Sequence, residues 1–168
     1  MNIPEIETER LLLVAPDLDC WQAYLDFYTD AEASKMYSGP FDKGKTWARL
    51  NEDVGAWHLS GYGVWAIKLK ESGKIVGTCG FWQGIGWPRE LTWWLLPEYR
   101  GKGLAREASV AAIEYAYQGF GWDIVETCMN DQNDAARYLT ERLGGVKDRR
   151  MTMPDGLTRD VYRLPCQQ

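Results

Sequence analysis

Residues 91–108 read LTWWLLPEYRGKGLAREA, and the fold turns on how this stretch is parsed. The apolar run Leu91 to Leu96 has strand character, and Pro97, which has no N–H to give a sheet ladder, closes it. Gly101 and Gly103 follow in a basic turn, and a helix-forming run starts at Leu104. Strand, glycine turn and helix start together make an anion site. The first turn of a helix presents N–H groups without intrahelical acceptors at the positive end of its dipole. Glycines let that backbone approach a bulky anion closely, and Arg100, Lys102 and Arg106 add positive charge around it.

Two common phosphate motifs are excluded by the residues themselves. A P-loop needs Lys and then Ser or Thr after its glycine, whereas Gly101-Lys102-Gly103 is followed by Leu104. The dinucleotide fingerprint needs a third glycine where Arg106 stands. What matches is Arg-x-x-Gly-x-Ala at Arg100, Gly103 and Ala105, and the flanks extend it. Upstream, the runs Tyr62 to Ile67 and Gly73 to Gly80 read as paired strands, and Glu90 to Leu95 leads into the turn. Downstream, Asn133 opens a helix that ends at Leu143-Gly144. In this order, from Thr8 to Leu164, the chain resembles the GNAT superfamily of N-acetyltransferases. Its opening, Glu7-Thr8-Glu9-Arg10-Leu11-Leu12-Leu13, is similar to the ribosomal-protein N-acetyltransferase-like (RimJ/RimL-type) branch.

The resemblance implies an α+β fold in a single N-acetyltransferase domain over 1–168. Its core is a mixed, strongly twisted sheet of six to seven strands with helices on both faces. It implies acetyl-coenzyme A as cosubstrate, no metal, and transfer of the acetyl group to a primary amine in a ternary complex. The acceptor is then a protein N-terminus or a small-molecule amine, and a homodimer is common in the family. The backbone of Arg100, Gly101, Lys102, Gly103, Leu104, Ala105 and Arg106 would hold the cofactor's pyrophosphate. A main-chain N–H at Leu95 or Leu96 would polarise the thioester carbonyl, as oxyanion-hole logic requires. Asn133 resembles the family asparagine that contacts the cofactor, and it equally suits an N-cap. Tyr37, with Tyr28 and Trp47, belongs to the region that walls the acceptor cleft, and Trp87 sits in the loop expected to touch the acceptor. Core packing accounts for such aromatics as well. An acyl-coenzyme A-binding module that senses without turnover is the competing class.

The chemistry needs a base and an acid. An α-amine has a pKa of about 8 and a lysine about 10.4, so much of the acceptor arrives protonated. Glu90 alternates with Thr92 and Trp94 on one strand face, and is the candidate base if desolvation raises its pKa. A solvated strand-end carboxylate is the other reading. For the acid, many family members carry a tyrosine seven residues after the asparagine, but here that position is Thr140. Tyr138 points about 160° away from Thr140 on a helix and does not inherit the role. The thiolate can instead take its proton from water.

Composition narrows the classes. Nineteen basic against 24 acidic residues argues against a nucleic-acid surface. Cys20, Cys79, Cys128 and Cys166 are far apart, and His58 is the only histidine, so a zinc site is not indicated and the cysteines read as reduced core residues. No signal-peptide pattern opens the chain and no stretch has membrane-spanning length, so a cytoplasmic protein is expected. Periodicity predicts strands over 10–14, 64–70, 75–82, 90–96, 124–129, 146–152 and 157–164. It predicts helices over 17–28, 46–59, 104–117 and 133–143.

Overall fold

Alternation and turn chemistry produce one sheet. The computed structural model describes residues 1–167. Its strands are β1 (Ile6–Glu7), β2 (Leu11–Val14), β3 (Val64–Leu69), β4 (Ile75–Trp82), β5 (Glu90–Leu95), β6 (Val125–Cys128), β7 (Val146–Thr152) and β8 (Thr158–Leu164). They form an eight-stranded sheet in the order β1-β2-β3-β4-β5-β6-β8-β7. Neighbours are antiparallel except β5 and β6, which run parallel and are joined by a helical crossover. The strand count exceeds the expected six to seven because of β1. That strand is two residues long and is fixed by its register with β2, Ile6 opposite Leu13 and Glu7 opposite Leu12.

The helices are α1 (Trp21–Tyr28), α2 (Lys43–Ser60), α3 (Leu104–Gln118) and α4 (Asp134–Arg142). The helix expected over 17–28 is divided, since Leu18–Cys20 is a 3-10 turn capped by Asp17, whose carboxylate accepts from the Asp19 amide. The start of α2 lies three residues before the expected Thr46, because Asp42 caps it through the Lys45 amide at 2.7 Å. Gly61, at φ 78°, ends it.

Two cores sandwich the sheet. On one face Leu104, Ala108, Ala112 and Ile113 of α3 pack on Leu91 and Leu95 of β5. Small alanines on that stripe let α3 sit close to the strands. On the other face Tyr24, Phe27 and Tyr28 of α1 and Leu50 of α2 pack on Trp94 and Ala66. Phe27 stacks on Trp94 with centroids 4.2 Å apart. The sequence pattern of β3 suggests one solvated face, but Val64 to Ile67 are buried on both, because helices cover each side. Cys20 and Cys79 are core residues as expected; Cys128 is half-buried and Cys166 exposed, and all four are free thiols. Among the described residues no helix is long and apolar enough to cross a membrane.

Candidate active site

The glycine turn has the backbone an anion needs. Pro97–Tyr99 form a 3-10 turn, then Gly101 (φ 78°) and Gly103 (φ 80°) take the left-handed conformation that favours glycine. Gly103 is the N-cap of α3 and offers no side chain, and the first helical bond runs from the Glu107 amide to Gly103 O. The amides of Gly101 to Arg106 therefore have no acceptor among the described residues. A Cβ on Gly101 would meet nothing within 4 Å, and one on Gly103 would meet only Arg10 Nη2, at 3.5 Å. The space in front of these amides is open, so the chain fits a bound diphosphate.

The basic side chains around the turn divide their roles. Arg100 turns back into the protein, donating from Nε to Leu95 O (3.2 Å) and from Nη2 to Ala33 O (3.1 Å). It braces the strand end rather than reaching outward. Lys102 is exposed beside the Tyr99 ring, whereas Arg106 lines the groove below the turn together with Arg142. Arg10 and Glu107 are contributions that sequence patterning does not reveal. Glu107 accepts from Thr8 Oγ1 (2.6 Å), the Arg10 amide (2.8 Å) and Arg10 Nε (2.8 Å). Arg10 Nη1 also holds Lys102 O at 3.0 Å. These bonds hold Glu107 below the usual carboxylate range, against the opposing pull of its partial burial. They tie the start of β2 to the back of the turn, 97 residues away in sequence; the only sequence signal is an acidic residue in the first turn of α3.

Beyond the turn, β5 and β6 pair at a single position, Glu90 with Glu126, and then separate. The Leu96 amide bonds Val76 O at 2.9 Å, so alternation along the strand turns the Trp93 and Leu95 amides toward the gap. Of the two amides expected to polarise a carbonyl, Leu96 is thus committed to β4 and Leu95 faces the opening. The carbonyls on that edge are all taken by side chains. Thr127 Oγ1 donates to Leu91 O (2.8 Å), the Tyr37 hydroxyl donates to Trp93 O, and Arg100 Nε donates to Leu95 O. A groove of about 630 Å³ runs from the turn past α4. A second cavity of about 300 Å³ lies on the α1–α2 side of the sheet. The two meet at Met36, Tyr37, Trp93, Trp94, Asn133 and Ala136.

Glu90 lies in that second cavity. Burial pushes its carboxyl up to about 7, opposed by a hydrogen bond from the Cys128 thiol and by the charge of Arg159. Burial and the adjoining Glu90 keep the Cys128 thiol protonated. Trp87 lines the same cavity, packed edge-on against Trp82 with Arg159 over its ring at 5.2 Å. Arg159 in turn grips Asp155 through two bonds of 3.0 and 2.8 Å. Tyr28 and Tyr37 reach the cavity, whereas Trp47 is exposed against Trp21 and does not. His58 is exposed on α2.

Asn133 caps α4, its Oδ1 accepting from the Ala136 amide at 3.1 Å, and it also lines both openings. Its two expected roles are compatible, because capping occupies only the carbonyl oxygen and leaves the NH₂ group to donate. Thr140 is fully buried, with Oγ1 lacking a hydrogen-bond partner, and faces neither cavity. Tyr138 is exposed along the groove under Arg142.

Comparison with known proteins agrees with this geometry. A family model described as an acetyltransferase (GNAT) domain matches residues 10–146. The crystal structure of an acetyltransferase from Agrobacterium tumefaciens superposes with a TM-score of 0.89 at 31% identity, covering 98% of this chain and 96% of that one. An uncharacterised N-acetyltransferase of Bacillus subtilis, YnaD, is 26% identical over 80% of this chain and 78% of its own. The fold is shared with RimL, a ribosomal-protein alpha-N-acetyltransferase solved with coenzyme A. There the TM-score is 0.76 at 14% identity, covering 95% and 97% of the two chains. An open-edged β5, free amides at a glycine turn and a family match over most of the chain converge: this protein belongs to the GNAT family of acetyltransferases.

Proposed function

We propose that one domain, spanning 1–168, transfers an acetyl group from acetyl-coenzyme A to a primary amine by direct attack in a ternary complex. The observation that carries this is the single-point pairing of β5 with β6. It opens a passage from the free amides of the turn to a half-buried carboxylate of suitable pKa, Glu90. The cosubstrate supplies the thioester, and the chain's own groups do the rest. Amides from Gly101 to Arg106 bind the diphosphate, aided by the helix dipole. Arg106 screens its charge, and the Asn133 NH₂ group donates to the arm that follows. The Leu95 N–H meets negative charge as it develops on the carbonyl oxygen, and being fixed by the strand it needs no reorganisation.

Glu90 takes the proton from the incoming ammonium. With a pKa of about 7 it is about half ionised at neutral pH, and basic enough to accept that proton. Neither Thr140 nor Tyr138 stands at the junction of the two cavities, so the leaving thiolate, with a pKa of about 8.5 for a thiol, takes its proton from solvent. The test is thiol release from acetyl-coenzyme A across a panel of amines. Amine-dependent release is expected, whereas tight coenzyme A binding with no release from any amine would mark a sensor instead.

A further inference from the structure

The α2 side of the second cavity carries a guanidinium that makes no hydrogen bond among the described residues. Arg49, half-buried, sits over the rings of Tyr28 (5.8 Å) and Phe41 (6.0 Å). Its guanidinium makes no hydrogen bond among the described residues, and its one ion pair, to the exposed Glu52, is loose at 3.6 Å. Trp94 is buried, with its indole N–H turned toward the Tyr28 hydroxyl. Arg49, Tyr28 and Trp94 line one cavity. A half-buried guanidinium without a hydrogen-bond acceptor suits a ligand that brings one.

The other charged groups facing this cavity are accounted for. Arg159 already holds a carboxylate, Asp155, through both terminal nitrogens. Asp53, buried beside Arg49, accepts from the Tyr24 hydroxyl at 2.6 Å, and no ion pair joins it to Arg49. The cavity therefore receives from α2 a cation that makes no hydrogen bond among the described residues, Arg49, and from β5 a carboxylate, Glu90. Its volume of about 300 Å³ is at the small end of ligand cavities.

We propose that the acceptor is a small amine bearing its own carboxylate, an amino acid long enough to span the cavity, with its nitrogen at Glu90 and its carboxylate at Arg49. This names the acceptor class for the acetyl-transfer reading above and rests on it. In the reaction the amine nitrogen forms the new C–N bond as the thioester C–S bond breaks. Both protons that the ammonium gives up reach solvent, the first through Glu90, and the thiolate takes one proton back from solvent. The products are an N-acetyl amino acid and coenzyme A.

The test is thiol release by the full chain with amino acids, their carboxamides, simple alkylamines, diamines and C-terminally amidated peptides. A carboxylate held by charge-assisted bonds should raise kcat/KM for each acid over its carboxamide by about tenfold to a hundredfold. In Arg49→Gln that ratio should fall to near one, and in Arg49→Lys, which keeps the charge, it should survive in part. Equal use of acids and carboxamides by the wild type overturns the proposal, as does a preference that persists in Arg49→Gln, or diamines or amidated peptides as the best acceptors. The wild-type panel decides alone if a thermal melt shows that the variants do not fold. Turnover without carboxylate preference sinks this inference only, whereas no release with any amine sinks the transfer reading with it.

Discussion

The thiol of Cys128 on β6 donates to the carboxylate of Glu90 on β5, two residues beyond Glu126, the one residue of β6 that pairs with β5. The contact sits where the sheet starts to part. It joins the one point of β5–β6 pairing to the cavity on the α1–α2 side. Burial alone would raise the Glu90 pKa further, and the thiol works against it by stabilising the ionised form.

Glu90→Gln tests the base. It should lower kcat/KM about 10²- to 10⁴-fold and abolish the rise in activity with pH near 7. Stability should move the opposite way. The folded pKa, about 7, lies above the ordinary value of 4.5, so this group's contribution is fully present below about 4.5 and is lost as pH rises through 7. Glutamine cannot ionise, so the variant should melt a few degrees above wild type at pH 8 and show little difference at pH 4.5. Melts at the two pH values, beside the rate profile, check both signs.

Cys128→Ala removes the donor and leaves Glu90 to burial. The acid limb of the pH–rate profile should shift upward, since the ionised carboxylate loses a hydrogen bond. Cys128→Ser, which keeps a donor of similar reach, should return the limb toward the wild-type position. An unmoved limb in both variants would show that the thiol does not set the pKa of the base.

At Gly103 two substitutions separate conformation from charge. A Cβ there meets only the tip of Arg10, so Gly103→Ala creates no clash, but the left-handed φ of 80° costs about 1–2 kcal/mol for a non-glycine residue. Alanine should lower the melting temperature by several degrees and weaken acetyl-coenzyme A binding modestly. Gly103→Glu adds a negative charge in front of the amides and should weaken binding more than tenfold. Calorimetry with acetyl-coenzyme A against each variant distinguishes the two effects.

What the sequence discloses follows the range of the forces involved. The turn was legible because Pro97, Gly101 and Gly103 act on their own backbone, and the α3 stripe because Leu104, Ala108 and Ala111 repeat at helical spacing. Glu90 was legible as a polar residue on an apolar strand. Arg10, Cys128 and Arg49 were not, since each matters through a partner that only the folded sheet brings near: Glu107, Glu90 and the Tyr28–Trp94 wall. Leu96 and Leu95 looked alike until strand register assigned one amide to Val76 and the other to the gap. Two-residue β1 carries no periodicity of its own.

Thr140, seven residues after Asn133, is fully buried and its hydroxyl has no partner among the described residues. Its methyl packs close to Gly145, and its carbonyl accepts the Gly145 amide at 2.9 Å, so the residue helps close α4 rather than serving the cleft. A buried hydroxyl without a partner is desolvated for nothing, and replacing it by a methyl of the same shape removes that cost. Thr140→Val should therefore raise stability by about 1 kcal/mol, a melting shift of a few degrees, and leave kcat and its pH profile unchanged. Thr140→Tyr, in contrast, should destabilise by overpacking a site with no free volume and should not accelerate thiol release. If valine instead lowers kcat tenfold without loss of stability, the hydroxyl acts in catalysis and solvent is not the sole proton source for the thiolate.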